Sequence, residues 1–211
     1  MLGGFFIFLM GFPFISDDDP LYLASASARR KSLLEQVRLP FRSLPSGMDE
    51  DMNGDEPSLG TLRLAEKKAR SVFPLPRPGW VLGADTVVVL DGAILGKPEG
   101  HNDALRTLSR LSGREHRVIT GFCLLDPLGK VAHAEAVETL VRFRNLSRQE
   151  VEAYVTTGEP FGKAGSYAIQ GIGAFMVERI TGSYTNVVGL PLCELIKSLL
   201  AERALQDFPP A

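Results

Sequence analysis

Residues able to do acid–base or phosphate chemistry recur along this 211-residue chain beside apolar or glycine-rich runs. The central one is Asp85. Val81-Leu82 precedes it and Thr86-Val87-Val88-Val89-Leu90 follows, an otherwise apolar strand pattern over most of its length. A carboxylate buried there without a partner is costly, so it is neutralised by a cation or a metal, or it is not buried at all. Asp91-Gly92 is a hairpin turn signal, and Ala93-Ile94-Leu95 leads back to Gly96-Lys97-Pro98. Asp85 and Lys97 can therefore flank one pocket. The plainer reading is an edge-strand acid followed by an ordinary polar turn.

Two other stretches suit an anion. Leu21-Tyr22-Leu23-Ala24 reads as a short strand, Ser25-Ala26-Ser27-Ala28 as a small-residue turn, and Arg29-Arg30-Lys31 as the start of a helix. Free backbone N–H groups at such a helix start favour anions. Arginines in a first helical turn work against the dipole, and a phosphate gripped by their donor fork would reward that position; the alternative is a solvated basic turn. Between residues 158 and 191, Gly162, Gly165, Gly171 and Gly173 surround Lys163 and Gln170. Glycine at that density marks tight turns or lets backbone approach a ligand. The acids of Gly47-Met48-Asp49-Glu50-Asp51 read as a solvated charge run, and either Lys67 or Lys68, by spacing, can be a surface lysine.

The elements that must position these groups alternate between strand and helix. Residues 61–72 have the period of an amphipathic helix, as do 102–111, 151–155 and 192–205. Strands are expected at 41–44, 117–125, 131–144 (as one or two) and 174–180. Ser147-Arg148-Gln149-Glu150 is a capping box. The pattern predicts an α/β fold with a mixed sheet. Charged residues at 23%, apolar residues at 45% and a net charge of -2 describe an ordinary domain and argue against a general nucleic-acid coat, which needs a strong positive field.

Residues 1–20 stand apart as an apolar extension and polar linker, with 21–211 read as one domain. The apolar run is too short for a bilayer span and lacks the charged start of a secretory signal, so no membrane association is expected. Cys123 and Cys193 both sit in apolar sequence and read as buried, reduced thiols.

Taken together, several segments resemble the Maf family of nucleotide pyrophosphatases. They are Leu23-Ala24-Ser25-Ala26-Ser27-Ala28-Arg29-Arg30, Gly83-Ala84-Asp85-Thr86-Val87-Val88 with Gly96-Lys97-Pro98, and Ser112-Gly113 with His116 and Thr120-Gly121. Further along are Lys163-Ala164-Gly165-Ser166-Tyr167-Ala168-Ile169-Gln170-Gly171 and Asn186-Val187-Val188-Gly189-Leu190-Pro191. The resemblance implies hydrolysis of a nucleoside triphosphate to the monophosphate and pyrophosphate with a divalent cation (Mg²⁺, Mn²⁺ or Co²⁺), in a cytoplasmic homodimer. It implies an elongated mixed β-sheet with flanking helices and two lobes around a deep cleft, similar to the inosine-triphosphate pyrophosphatases. Asp85 matches the catalytic acid, and Arg29, Thr86 and Gln170 match positions linked to base choice. Ser25, Arg30, Glu50, Lys68, Lys97 and Lys163 match other polar cleft positions; Asp85 can either accept the proton of the attacking water or hold the metal with Glu50. The Asp85-Thr86 pair with Ile169-Gln170-Gly171 looks like the dTTP/UTP branch. Ala28 stands where the motif has Pro, and Gly162 where many members have Asp.

On this reading the chemistry is attack of water at the α-phosphorus with loss of pyrophosphate. Cations stabilise the leaving charge, and a base or metal activates the water. A binding protein that regulates septum formation without turnover is the alternative of a different class, and a pyrophosphatase for another base is the third.

Overall fold

In the computed structural model, which describes residues 12–48 and 54–209, strand β3 (Val81–Leu90) is the spine of a seven-stranded mixed sheet. Its apolar run suits a strand covered on both faces, and every residue but Thr86 is buried. Along one edge it pairs antiparallel with β5 (Glu115–Leu125) from Val81 to Val89. The other edge is divided. β1 (Leu21–Leu23) lies parallel against Val81 and Leu82, while β4 (Ala93–Leu95) returns antiparallel against Val88 to Leu90. Between them, residues 83–87 have no strand neighbour on that edge among the described residues. Beyond β1 the sheet continues with parallel β2 (Phe41–Ser43), and beyond β5 with antiparallel β6 (Val131–Phe143) and β7 (Val177–Thr181). The hairpin turn forms as expected, with Asp91 (φ 52°) and Gly92 (φ 78°) both left-handed, the geometry of a type I′ turn.

Helix α2 (Pro57–Ser71) covers one face; Ala65 and Ala69 pack with Val81, Cys123 and Leu125. It lies unusually close to the strands. A Cβ at Gly83 would stand 2.0 Å from the Ala65 carbonyl oxygen, and one at Gly121 2.6 Å from the Thr61 carbonyl carbon. The larger core fills the opposite face, with Leu82, Val88, Phe122 and Leu124 from the sheet. Helices α1 (Ala28–Gln36), α3 (His101–Leu111), α4 (Arg148–Thr156), α5 (Tyr184–Val188) and α6 (Leu192–Ala201) pack residues into it.

Several elements differ from expectation. Helix α2 starts before residue 61 because Pro57 opens it and the Glu56 carboxylate accepts from the Ser58 and Leu59 amides. Residues 131–143 form one strand, bulged against β7 at Arg142–Phe143. The strand expected at 174–180 begins only at Val177, because Ile172–Met176 is a 3₁₀ turn whose first amides bond to Glu159. The helix expected over 192–205 ends at Ala201, and α5 precedes it, capped by the Ser183 hydroxyl accepting from Asn186 N. The capping box at Ser147 and Glu150 is present in full. Cys123 is buried, but Cys193 is exposed, since it falls on the outer side of α6. Residues of the apolar extension reach the core: Phe12 meets Trp80 edge-on at 5.9 Å, the Trp80 indole donates to Pro13 O at 3.1 Å, and Ile15 N donates to Ala204 O. Among the described residues no helix is long and apolar enough to cross a membrane.

His116 on β5 is 2% exposed, wedged edge-on between Phe143 and Tyr167, with Nε2 2.9 Å from the Tyr167 hydroxyl. Burial pushes its pKa down to about 4. The unfolded chain therefore takes up a proton near the ordinary histidine pKa of about 6.5, before the folded chain does. Stability is expected to fall by up to about 1.4 kcal/mol per pH unit between those two values and to be unaffected by this group above them. Urea midpoints measured from pH 7 to pH 4 check this; a His116→Phe variant is expected to lose that part of the acid sensitivity.

Candidate active site

Successive strand residues point to opposite faces, so Asp85 and Thr86 would ordinarily serve different surfaces. The divided edge of β3 changes that. A cavity of about 590 Å³ opens at the gap between β1 and β4 and is lined by both residues, a volume suited to a small organic ligand. Ser25, Arg29, Arg30, Lys68, Lys97, Lys163 and Gln170 also border it. The fold thus brings together every predicted site residue except Glu50, which lies outside the described residues.

Asp85 points to the α2 face. The close approach of α2 over Gly83 brings Lys68 Nζ to 2.6 Å from Asp85 Oδ1, each residue 4% exposed. The cation that the buried acid requires is Lys68, not the hairpin Lys97, and Lys68 is not a surface lysine. Among the described residues, Asp85 Oδ2 carries no hydrogen bond and Asp85 is the one acid on the cavity wall. No cluster of three or more His, Cys, Asp or Glu among the described residues is arranged to hold a metal. A Mg²⁺-like ion, however, is commonly held by one or two carboxylates plus substrate phosphates. One buried carboxylate with an available oxygen in a polar cavity fits that mode.

Thr86 points to the other face, where Arg30 organises the wall. Arg30 is 8% exposed; its Nε donates to Gly189 O at 2.8 Å, Nη1 to Ser25 Oγ at 3.2 Å and Nη2 to Thr86 Oγ1 at 3.1 Å. Gly189 ends α5, where helix carbonyls favour a cation. Carbonyl and hydroxyl oxygens therefore hold this first-turn arginine in the cavity wall. Thr120 Oγ1 donates to Asn186 O at 3.0 Å and lies 2.9 Å from Thr86 Oγ1. Thr120 has spent its hydrogen, so Thr86 is the donor in that contact. With its hydrogen committed, the Thr86 hydroxyl can only accept from a ligand.

Arg29 and Lys163 are short of negative charge. Burial lowers the Arg29 pKa, with Tyr154 opposing, and burial followed by repulsion from Arg29 lowers that of Lys163, with Glu159 opposing. Two desolvated cations on one wall gain from an anionic ligand. Lys163 Nζ also donates to Glu159 O at 2.5 Å. Lys97 and Gln170 sit at exposed positions on the rim. The glycines next to Gln170 serve the scaffold: a Cβ at Gly171 would lie 1.9 Å from Glu159 Oε1, and one at Gly173 2.7 Å from the Tyr154 hydroxyl. Burial works to raise the Glu159 pKa, but hydrogen bonds from Tyr154 and the Gly173 and Ile172 amides hold it below the usual range. Reasoning on residue types alone missed Glu159 and the inward role of Lys68. A carboxylate just before a glycine-rich loop was the available signal for the first.

A family model described as "Maf-like protein" matches residues 20–202. The chain is 50% identical over 194 residues to a dTTP/UTP pyrophosphatase of Syntrophotalea carbinolica, covering 90% of this chain and 88% of that protein. It is 50% identical over 186 residues to one from Geobacter sp. (strain M21), covering 88% and 96%. Among solved structures it is similar to a nucleoside-triphosphatase / dITP/XTP pyrophosphatase from Mycobacterium abscessus, at 13% identity over 90% of this chain and 99% of that one, with a TM-score of 0.45. With the family match spanning nearly all of the described domain, the chain belongs to the Maf family.

Proposed function

We propose that the protein is a nucleoside triphosphate pyrophosphatase that hydrolyses dTTP and UTP to the monophosphate and pyrophosphate. The observation that carries this reading is the buried Asp85–Lys68 pair opening onto a cavity bordered by Arg29, Lys97 and Lys163. Those cations come from separate segments, so a polyanionic triphosphate is met by a local positive wall in a chain of net charge -2. Two relatives at 50% identity, both named dTTP/UTP pyrophosphatase, support the substrate.

In this scheme Lys68 fixes Asp85 by Oδ1, and Oδ2 takes the proton of the attacking water. The new bond forms from water oxygen to the α-phosphorus, and the bond to the bridging oxygen of the β-phosphate breaks. Lys97, Lys163 and Arg29 hold the departing pyrophosphate. A divalent ion would be held by Glu50 and the triphosphate oxygens, with Asp85 as a ligand in place of its proton-accepting duty, and would supply further charge neutralisation. Thr86, able only to accept, suits the N3–H of uracil or thymine and disfavours the bare N3 of cytosine. Gln170 offers both a donor and an acceptor to the same edge.

Pyrophosphate release across canonical and modified nucleotides with Mg²⁺, Mn²⁺ or Co²⁺ tests this, with UTP and dTTP expected to lead; binding without release of pyrophosphate from any of them overturns it. Gln170→Glu is expected to lower kcat/KM for UTP and dTTP about tenfold or more, the loss of one good ligand hydrogen bond, with an unchanged melting temperature. An equal loss on every nucleotide removes Gln170 from base reading. The same reading places the protein in the cytoplasm as a homodimer, for which sedimentation at the mass of two chains is the expected result.

A further inference from the structure

Glu159 takes no part in the scheme above, yet it ties down the stretch that carries Gln170. Its Oε1 accepts from Ile172 N at 3.0 Å, and its Oε2 accepts from Gly173 N at 2.8 Å and from the Tyr154 hydroxyl at 2.7 Å. The Tyr154 oxygen in turn accepts from Ala168 N at 3.1 Å. Backbone on both sides of Gln170 is thus bonded to one carboxylate–phenol pair. Both carboxylate oxygens are used, and the approach is close enough that a side chain at Gly171 would collide with Oε1. Gln170 itself is exposed on the cavity rim, where a loosely held amide would read a base poorly, since a misplacement of about 1 Å weakens such contacts.

We propose that Glu159 is a positioning residue for base selection. By holding the amides of Ile172 and Gly173, and Ala168 through Tyr154, it fixes where the Gln170 side chain meets the base. The role rests on the reading of Gln170 as the base-contacting group. It differs from general support of the fold: loss of that support lowers turnover on all nucleotides alike, whereas loss of Gln170 placement lowers discrimination. The Glu159 carboxylate contacts the loop and not the Asp85–Lys68 pair, and its charge acts on Lys163 equally for every nucleotide, so that effect cancels in the ratio between two nucleotides.

The test compares kcat/KM for UTP and for CTP, whose base edge reverses the donor and acceptor at N3 and C4, in Glu159→Ala, Glu159→Gln and Tyr154→Phe. The UTP-over-CTP ratio is expected to fall at least tenfold in Glu159→Ala, through a raised KM for UTP with kcat nearly kept. The fall is smaller in Glu159→Gln, which retains one acceptor, and in Tyr154→Phe, which retains the carboxylate. Adding Gln170→Ala to Glu159→Ala is expected to cost no further discrimination, because the two act as one unit. Melting curves identify any variant that fails to fold, in which case the milder two decide. An unchanged ratio, or a loss equal for both nucleotides, overturns the role while leaving the base preference of the unaltered protein intact. Absence of any preference in the unaltered protein overturns the Gln170 reading and this role with it, and is seen before a variant is made.

Discussion

Asp85→Asn is expected to lower kcat for pyrophosphate release by about 10²–10⁴-fold, the range of a lost general base, while nucleotide binding and the fold persist. The substitution is a fine probe because of the geometry. Lys68 Nζ lies 2.6 Å from Oδ1, and the asparagine oxygen can still accept that bond. The amide nitrogen then replaces Oδ2 at the cavity, presenting hydrogens where a proton acceptor is required. Single-turnover kinetics with equilibrium binding separate the steps. Near-native turnover with intact binding would remove Asp85 from the chemistry. A metal titration divides its two possible duties: a pure proton acceptor leaves the apparent metal affinity unchanged, and a ligand loses affinity along with turnover.

Lys68→Met is expected to cost about 3–5 kcal/mol of stability, the usual effect of leaving one partner of a buried ion pair without the other. Both side chains are about as inaccessible as the core around them, at 5% and 6%, so the carboxylate keeps most of its desolvation cost once the ammonium is gone. The loss belongs to the stranded carboxylate, not to the bond as such. The double variant Lys68→Met/Asp85→Leu is therefore expected to recover a large part of it, since apolar replacement of a whole buried pair is often neutral or stabilising. Denaturant midpoints of the four proteins in that cycle provide the check. Additive losses would mean that Lys68 and Asp85 stabilise the fold independently.

The groups that could be read in the sequence were those whose meaning is local. Asp85 stands out because it breaks an apolar strand, the Asp91-Gly92 turn returns the chain to Lys97, and Ser147 with Glu150 caps α4 through neighbours in sequence. The α/β class followed from the alternation of periods. What remained hidden depends on pairings between distant segments. The choice of Lys68 over Lys97 as the partner of Asp85 requires knowing that α2 descends onto Gly83 and Gly121. The duty of Arg30 requires Gly189, 159 positions away, and the gap in the sheet edge requires the register of both β1 and β4 on β3. The glycines around Lys163 and Gln170 read as tight turns or as room for a ligand; Gly162 and Gly165 turn the chain at positive φ, and Gly171 and Gly173 are room for Glu159 and Tyr154. The residues that motif resemblance names, Glu50 aside, border one cavity, but the resemblance does not say which of them face the cavity and which face each other.

The central claim is that water attacks the α-phosphorus of UTP or dTTP within the Asp85 cavity. It is tested most directly by hydrolysing UTP in water enriched in ¹⁸O and weighing the products by mass spectrometry. One ¹⁸O in the UMP, with unlabelled pyrophosphate, is the predicted result; label in pyrophosphate or in released orthophosphate would contradict it.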